Sequence, residues 1–343
     1  MNNLGKSLLI SLASLIFTLF LFELIYRLFF TAPSDNLPAW SDRPRRYFMA
    51  EGSTDFRDYA YSDQKPAGVF RIAVVGDSYS FAPYMQFTDA FPKVLERMLN
   101  LAGSQIKAEV INYGVPAYST AHEVALVEKA IRQSADLIIL QVTLNDPELK
   151  PYRPTGLNLN QIDKFGPLKL SPFWEKVTDL FRSWRFILER LHNLRTHRAY
   201  KEYFIDLFKN KKTFDHFKQS IEKISKTAIA ANTKIVAVIF PLFGLPLDNK
   251  YPFFEIHKIA GDVLKETGIK VLDLYEPFKG IPLERLQVIV GVDRHPNEIA
   301  HRISAEAIYD WLEAEGILPD DLRIKNFYKE RIGLNPKSTF ASK

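Results

Sequence analysis

From Phe70 onward, short continuous apolar runs alternate with longer amphipathic stretches. The runs are rich in β-branched residues and hold few polar positions, which predicts strands covered on both faces. The predicted strands span 71–76, 108–112, 136–142, 234–240 and 269–273. The amphipathic stretches predict helices over about 88–101, 120–134, 213–231, 252–267 and 296–314. Alternation of this kind predicts one doubly wound α/β domain, with a parallel sheet between two layers of helices.

One segment interrupts the alternation. About 65 residues, over about 147–212, separate the third predicted strand from the fourth. The segment is rich in aromatic residues, and residues 172–212 carry ten Lys or Arg against five Asp or Glu. Insertions of this length in a compact domain are usually functional or interfacial. Three interpretations stay open: a lid over a site, a basic amphipathic surface resting on anionic headgroups, or a helical pair with a solvated basic face.

The amino end carries the longest apolar run of the chain. It is uncharged over residues 7–22 and stays largely apolar up to residue 30, which as a helix reaches roughly 36 Å, enough to cross a bilayer. Glu23 and Arg27 are four residues apart and can pair on one helical face. The alternatives are a buried core helix and a cleaved signal peptide, but the run is long for a signal peptide and no A-x-A site follows it. We therefore predict an uncleaved, single-pass anchor that contacts the lipid bilayer through residues 7–30.

These patterns together predict the domain organisation and leave the orientation in the membrane open. Lys6 precedes the span, whereas Arg43, Arg45 and Arg46 follow it, so the positive-inside rule favours neither orientation clearly. The predicted regions are an anchor at 1–31, a stalk or lead-in segment at 32–66, the α/β domain at 67–317 with its insert at about 147–212, and a carboxyl-terminal tail at 318–343.

Composition excludes several classes of protein. Apolar residues make up 47% of the 343 residues and charged residues 25%, as in a globular domain rather than a disordered chain. The net charge of +5 is not concentrated in a basic run, and zinc-knuckle, helix-turn-helix and RNP patterns are missing, so we expect no nucleic-acid partner. The sequence contains no cysteine, which excludes disulfides, thiolate metal sites and a cysteine nucleophile.

Polar residues follow four of the predicted strands. The first strand ends in "GDS", which contains Ser78, and "NYGVPAYST" follows the second. "TLNDP", with Asn145, follows the third, and "VGVDRHPNEIAHR", with Asp293 and His295, comes after the fifth. The helix after this last segment is predicted to begin at Pro296. Because ligands bind at the carboxyl ends of the strands in such sheets, we expect these side chains to share one edge.

A hydroxyl, an imidazole, a carboxylate and an amide are the groups that ester chemistry requires. Each has a plainer explanation alone: "GDS" is ordinary turn chemistry, Asn145 a turn or cap residue, and His295 a surface or capping residue. A metal site at Asp293 and His295 would lack an evident third ligand, so we expect no metal. Their joint occurrence at the ends of the strands favours a serine nucleophile.

These segments resemble the SGNH, or GDSL-type, hydrolases over about residues 66–315, from "KPAGVFRIAVVGDSYSF" to the "DRHP" segment. The resemblance implies a flavodoxin-like, three-layer α/β/α sandwich with a five-stranded parallel sheet, and an esterase without metal or organic cofactor. It implies that Ser78 is the nucleophile, His295 the general base and Asp293 the residue that orients its ring. The oxyanion donors would be the backbone N–H groups of Ser78 and Ala117 and the side chain of Asn145.

The chain departs from the pattern of that family at three places. Ala117 stands where the second block usually has its second glycine, and its N–H can serve if the backbone does not need a positive φ. Thr143 replaces the usual glycine of the third block. The usual Asp-x-x-His is one residue shorter, Asp293-Arg294-His295, so the residues could act as a triad or as a Ser–His dyad.

The sequence therefore favours a membrane-anchored serine esterase, similar to anchored bacterial relatives, that acts on acyl esters of carbohydrate or lipid. We expect its α/β domain outside the cytoplasm, although the flanking charges lean slightly the other way. An O-acyltransferase that modifies a surface polysaccharide would use the same residues. A non-catalytic glycan-binding or assembly protein on a degenerate hydrolase scaffold is the alternative from another class.

Overall fold

The computed structural model describes residues 3–29, 58–101, 106–149, 170–290 and 293–323. Most of the predicted stalk, residues 150–169 of the insert and the tail beyond residue 323 lie outside these ranges. Contacts divide the chain into two compact units. The first unit comprises Met1–Pro44 and Pro154–Glu202, and the second comprises Arg45–Arg153 and Tyr203–Lys343.

The regular elements of the described residues follow in chain order. The α-helices are α1 (Asn3–Phe29), α2 (Ser78–Phe81), α3 (Phe91–Asn100), α4 (Thr120–Arg132), α5 (Pro172–Leu180), α6 (Arg182–Lys209), α7 (Lys211–Ala230), α8 (Phe254–Glu266), α9 (Tyr275–Phe278) and α10 (Glu298–Ala314). The strands are β1 (Val69–Gly76), β2 (Lys107–Gly114), β3 (Leu137–Val142), β4 (Lys234–Ile239), β5 (Lys270–Asp273), β6 (Gln287–Ile289) and β7 (Asp293–Pro296). Short 3₁₀-helices lie at Phe87–Asp89, Leu283–Arg285 and Asp320–Leu322.

The second unit is built on a five-stranded sheet with the order β2-β1-β3-β4-β5. All four neighbouring pairs are parallel. Every residue of β3 is buried, as its continuous apolar run predicts for a strand covered on both faces. α4 packs against α7, and α3 packs against α10, so helices cover the sheet on both sides. The predicted α/β fold with a five-stranded parallel sheet is confirmed.

The segment that carries His295 differs from its prediction. Asp293–Pro296 is a strand, β7, that pairs antiparallel with β6, and α10 begins only at Glu298. The prediction that Pro296 opens the helix is wrong, because Asn297 is the N-cap. Its side-chain oxygen accepts the N–H groups of Ile299 at 3.0 Å and Ala300 at 3.1 Å, which are otherwise without partners at a helix start.

The first unit contains α1, α5 and the part of α6 that precedes Tyr203. Residues Gly5–Phe29 of α1 are long and apolar enough to cross a membrane, a property that signal sequences near an amino terminus share. The predicted pairing within α1 is confirmed, since Arg27 Nε lies 2.7 Å from Glu23 Oε1.

Candidate active site

Ser78 begins the short helix α2 directly after β1. Asp77 is the N-cap of that helix, and its carboxylate accepts the backbone N–H of Tyr79 at 2.9 Å. Gly76 is required for close packing here, because a Cβ at that position would lie 2.3 Å from Gln141 Oε1. The sequence "GDS" thus joins a buried strand to a helix in a sharp turn, which leaves the Ser78 side chain half-buried at the carboxyl end of β1.

Gln141 of β3 holds the turn around Ser78 in place through its side chain. Its side-chain oxygen accepts the backbone N–H groups of Asp77 and Ser80, each at 3.1 Å, and the Ser80 hydroxyl at 2.9 Å. Asn112 of β2 adds a fourth bond, because its amide donates to the Ser80 carbonyl oxygen at 2.7 Å. Two fully buried amide side chains therefore hold the backbone around Ser78 in one conformation.

The structure brings Ser78, His295 and Asp293 together. His295 Nε2 lies 2.9 Å from Ser78 Oγ, and His295 Nδ1 lies 2.6 Å from Asp293 Oδ1. The same carboxylate oxygen accepts the backbone N–H of His295 at 2.9 Å. Asp293 and His295 can therefore contact each other although only one residue separates them. Side chains two residues apart in a strand such as β7 lie on the same side. One nitrogen of the His295 ring faces the Ser78 hydroxyl, and the other faces the Asp293 carboxylate.

The charges of His295 and Asp293 shift the pKa of each other. Burial would lower the pKa of His295, but the negative charge and hydrogen bond of Asp293, with a smaller contribution from Asp77, raise it above its usual value. Burial would raise the pKa of Asp293, but His295 outweighs this effect and holds that pKa below its usual value. Asp293 is thus a carboxylate at neutral pH, and His295 becomes a stronger base than an isolated imidazole.

Asn145 lies in the turn after β3, beside the residue that precedes Ser78. Its Nδ2 donates to Asp77 Oδ2 at 3.2 Å, and the Thr143 hydroxyl lies 2.7 Å from the same oxygen. The Thr143 hydroxyl also contacts Asn145 Oδ1, so the oxygen end of the amide is held as well. Since an amide nitrogen carries two hydrogens, this arrangement leaves the second N–H of Asn145 available to another acceptor.

Ala117 follows β2, where Val115 N–H donates to the Gly76 carbonyl oxygen at 3.0 Å and ties this loop to the end of β1. The structure gives Ala117 a φ of 66°, in the left-handed region. The position therefore does require the conformation that glycine adopts readily, and alanine holds it at a cost of roughly 1–2 kcal/mol. Its backbone N–H is retained.

Two carboxyl groups near Asp77 were not singled out by the sequence. Glu123 of α4 is fully buried, and neither of its carboxyl oxygens has a hydrogen-bond partner among the described residues. Asp146 is also buried and accepts the Thr143 N–H at 3.2 Å. Burial, followed by the charge of Asp77, raises the pKa of Glu123 well above its usual value. Burial, followed by the charges of Glu123 and Asp77, does the same for Asp146.

A second His–Asp pair lies at the same edge of the sheet. His257 Nδ1 lies 3.0 Å from Oδ2 of Asp273, the last residue of β5. On the other side of its ring, Nε2 lies 3.5 Å from the hydroxyl of Tyr251, which already accepts the Leu242 N–H at 2.7 Å. His257 is buried, whereas the side chain of Asp273 is 42% exposed.

Within the described part of the chain, no group of three or more His, Asp or Glu side chains is arranged to hold a metal ion. His295 and Asp293 face each other instead of a common point. Around the Ser78 hydroxyl, His295 and Asp293 form a chain of proton donors and acceptors.

The chain matches no protein-family model and no curated protein. Among solved structures, it is similar to a lipase/acylhydrolase from Enterococcus faecalis, with 12% identity, a TM-score of 0.43 and coverage of 72% of this chain and 96% of the other. A catalytic mutant of an acetylxylan esterase from Geobacillus stearothermophilus is 13% identical to this chain, with a TM-score of 0.43 and coverage of 75% of this chain and 95% of the other. A G-D-S-L family protein from Desulfitobacterium hafniense DCB-2 is 13% identical, with a TM-score of 0.41 and coverage of 69% of this chain and 97% of the other.

By name, these neighbours are a lipase/acylhydrolase, an acetylxylan esterase and a member of a G-D-S-L family. Their identities of 12–13% and TM-scores below 0.5 mean that such likenesses carry no conclusion about what this chain does. The chemistry must be inferred from the side chains around Ser78.

Proposed function

We propose that the protein is a membrane-anchored serine esterase in which Ser78 attacks an acyl ester. The observation that supports this most directly is the 2.9 Å separation of Ser78 Oγ and His295 Nε2, with Asp293 on the opposite side of the ring. A hydroxyl is a weak nucleophile until a base removes its proton, and this geometry provides the base.

In the first half of the proposed reaction, Ser78 Oγ bonds to the ester carbonyl carbon as its proton passes to His295 Nε2. The resulting oxyanion accepts hydrogen bonds from the backbone N–H groups of Ser78 and Ala117 and from Asn145 Nδ2. Collapse of the tetrahedral intermediate breaks the bond to the alkoxy oxygen, which takes the proton from His295 and leaves as an alcohol. Asp293 stabilises the imidazolium between these two steps.

In the second half, water attacks the acyl group on Ser78 and gives a proton to His295. The bond between Ser78 Oγ and the acyl carbon then breaks, the proton returns to Oγ, and a carboxylic acid leaves. If a sugar hydroxyl replaces water, the same acyl-enzyme gives an acylated glycan. A product assay with and without an acceptor glycan separates these outcomes, because a transferase acylates the acceptor.

Burst kinetics test the role of Ser78. With a chromogenic acetate ester we expect a burst of alcohol equal to the amount of enzyme, and covalent labelling by a fluorophosphonate probe. Ser78→Ala should abolish the burst and the labelling. Ser80→Ala is a neighbouring control, since its hydroxyl contacts Gln141 and not His295. Equal turnover by Ser78→Ala and the parent enzyme would refute the proposed nucleophile.

The proposal includes α1 as an uncleaved anchor, because α1 has partners elsewhere in its unit. Arg27 donates to the Leu180 carbonyl oxygen at 2.7 Å, and the Ser183 N–H donates to Glu23 Oε2 at 2.8 Å. A peptide that is removed after secretion would not be expected to make such contacts. A mass measurement of the membrane-extracted protein should therefore give a chain that retains residues 7–30.

We propose that the α/β unit lies outside the cytoplasm. Since the chain contains no cysteine, a single Lys226→Cys variant provides a unique label, and the Lys226 side chain is 79% exposed. A membrane-impermeant maleimide should label this variant in intact spheroplasts. Labelling only after the cells are opened would place the unit in the cytoplasm and contradict this part of the proposal.

A further inference from the structure

Among the described residues outside α1, exposed large apolar side chains are concentrated in α5 and the first half of α6. Eight large ones lie within residues 173–194, against six scattered through the described residues of the second unit. The eight are Phe173, Trp174, Leu180, Phe181, Trp184, Ile187, Leu191 and Leu194. Their exposed fractions run from 40% at Ile187 to 68% at Phe173. Apolar surface this dense indicates a partner that covers it.

Half of this set forms a stripe along α6. Trp184, Ile187, Leu191 and Leu194 are spaced by three and four residues, which puts them on one side of the helix. Arginines border and extend the stripe, and residues 172–200 carry six Lys or Arg against three Asp or Glu. An apolar stripe with a net positive border suits the boundary between acyl chains and anionic headgroups.

The turn between α5 and α6 is bonded to the carboxyl-terminal end of α1. Arg27 donates to the Leu180 carbonyl oxygen, the Ser183 N–H donates to Glu23, and Glu23 is only 6% exposed. Glu23 and Arg27 lie in the last two turns of α1, where a membrane-spanning helix leaves the hydrocarbon. The exposed apolar surface of α1 continues to its last residue, Phe29, which is 77% exposed.

We propose that α5 and the first half of α6 form a second membrane contact, lying in the interface of the leaflet from which α1 emerges. We call residues 172–194 the interfacial segment. The partner is an anionic lipid surface, because the turn that begins α6 is bonded to the carboxyl-terminal end of the apolar helix α1 and because the border of the stripe is basic. This inference depends on the proposed anchoring of α1 and is independent of the esterase chemistry.

The position of the interfacial segment can be measured by tryptophan quenching in the full-length protein, reconstituted in vesicles of phosphatidylcholine and phosphatidylglycerol. The chain has four tryptophans, Trp40, Trp174, Trp184 and Trp311, so that replacement of three by phenylalanine leaves one reporter. A tryptophan-free chain with Phe20→Trp reports on the anchor itself.

If the proposal is right, lipids brominated on their acyl chains quench Trp174 and Trp184, and aqueous iodide does not. The quenching depth should place both rings about 5–10 Å below the headgroups, the depth expected of an interfacial helix. Quenching by iodide and not by bromolipid would overturn the proposal. Shielding from both quenchers would also overturn it, and would identify the cover as protein, such as a second copy of this chain.

Failure of the anchor can be recognised separately. If Phe20→Trp is not quenched by bromolipids, α1 is not in the bilayer and the second contact is refuted with it. The burst from a chromogenic ester in the same vesicles tests the esterase proposal independently, because it depends on Ser78. Quenched Phe20→Trp with unquenched Trp184 would refute the interfacial segment alone.

Charge reversal tests the lipid partner. Arg190 and Arg195 are exposed beside the stripe, so Arg190→Glu with Arg195→Glu should make Trp184 shallower and more accessible to iodide in anionic vesicles. Lys226→Glu with Lys258→Glu changes the net charge equally on exposed helices of the second unit and should leave Trp184 unchanged. Equal responses of the two double variants would contradict a specific basic contact with the leaflet.

Discussion

Two His–Asp pairs lie at the carboxyl edge of one sheet, and they differ in what faces the second nitrogen of each ring. His295 faces the Ser78 hydroxyl at 2.9 Å, whereas His257 faces the Tyr251 hydroxyl at 3.5 Å. The Tyr251 side chain is buried, and its oxygen also accepts the Leu242 N–H at 2.7 Å. A histidine and a carboxylate are therefore insufficient for nucleophilic chemistry, which also needs a hydroxyl that is close to the ring and accessible to a substrate.

The carboxylates of the two pairs differ as well. The Asp293 side chain is 12% exposed and the Asp273 side chain 42% exposed. Attraction between opposite charges is weaker where water surrounds them, so Asp293 stabilises an imidazolium more strongly. The amide of Asn145, a proposed oxyanion donor, also lies near the first pair, since it is bonded to Asp77 beside Ser78. We interpret the His257 pair as structural, and matched substitutions in both pairs can test that difference.

The largest difference is expected from the imidazoles. His295→Gln should reduce kcat on a chromogenic ester by about 10⁴-fold or more, because His295 is the base that faces Ser78 among the described residues. His257→Gln should leave kcat within about twofold of the parent value, since that imidazole contacts no part of the proposed reaction path. Steady-state kinetics on both variants provide the measurement. A comparable loss of kcat in both variants would contradict the assignment of His295 as the general base and of His257 as a structural residue.

The carboxylates should give the next largest difference. Asp293→Asn removes the charge that stabilises the imidazolium, and we expect about a 10³-fold loss of kcat at neutral pH. Asp273→Asn should have little effect on kcat. If Asp293→Asn retains nearly full activity, the site works as a Ser–His dyad, and the triad is refuted.

The pH profile sharpens the comparison of the carboxylates. His295 acts only when neutral, and its pKa is raised, so activity of the parent enzyme should fall on acidification through a value above 6.5. Asp293→Asn should shift this acid limb to lower pH, because the charge that raises the pKa is gone. Asp273→Asn should leave the limb in place. The logarithm of kcat/KM against pH measures both shifts, and an unshifted limb in Asp293→Asn would contradict the assigned cause.

The amide beside Ser78 should have a smaller effect than the triad. Asn145→Ala removes one oxyanion donor, and we expect kcat to fall by about 10²–10³-fold. KM should change little if the bond forms mainly in the transition state. Thr143→Ser keeps the hydroxyl that contacts Asn145 and serves as a control near parent activity. A loss in KM alone would indicate that Asn145 binds the ground-state ester instead.

The sequence predicts the sheet well and the choice between the two histidines less well. Each predicted strand lies within two residues of the observed strand, because continuous β-branched runs are a local signal. Asp273 also ends a strand, so the rule that selects Asp293 by its place near the sheet edge does not by itself exclude Asp273. His295 was selected because its segment follows the fifth predicted strand and contains an Asp–His pair, and the family resemblance, through "DRHP", favours the same residue.

Contacts between distant residues could not be predicted from the sequence. Gln141 lies within the apolar run "DLIILQV" and gave no signal of its bonds to Asp77 and Ser80. The buried carboxyl of Glu123 likewise lies on an amphipathic helix whose packing was unknown. The hairpin that holds Asp293 and His295 was missed, because Pro296 is also typical of a helix start.

The smallest expected effect concerns the second pair and appears in stability, not in turnover. Tyr251→Phe removes the oxygen that accepts the buried Leu242 N–H, and an unsatisfied buried donor costs about 1–3 kcal/mol in the free energy of unfolding. Urea unfolding should show this loss with an unchanged slope, while kcat stays at the parent value. Tyr275→Phe, whose hydroxyl donates to the Asp248 carbonyl oxygen at 2.7 Å, is the matched control. A large loss of kcat in Tyr251→Phe at full stability would mean that the second pair takes part in the chemistry after all.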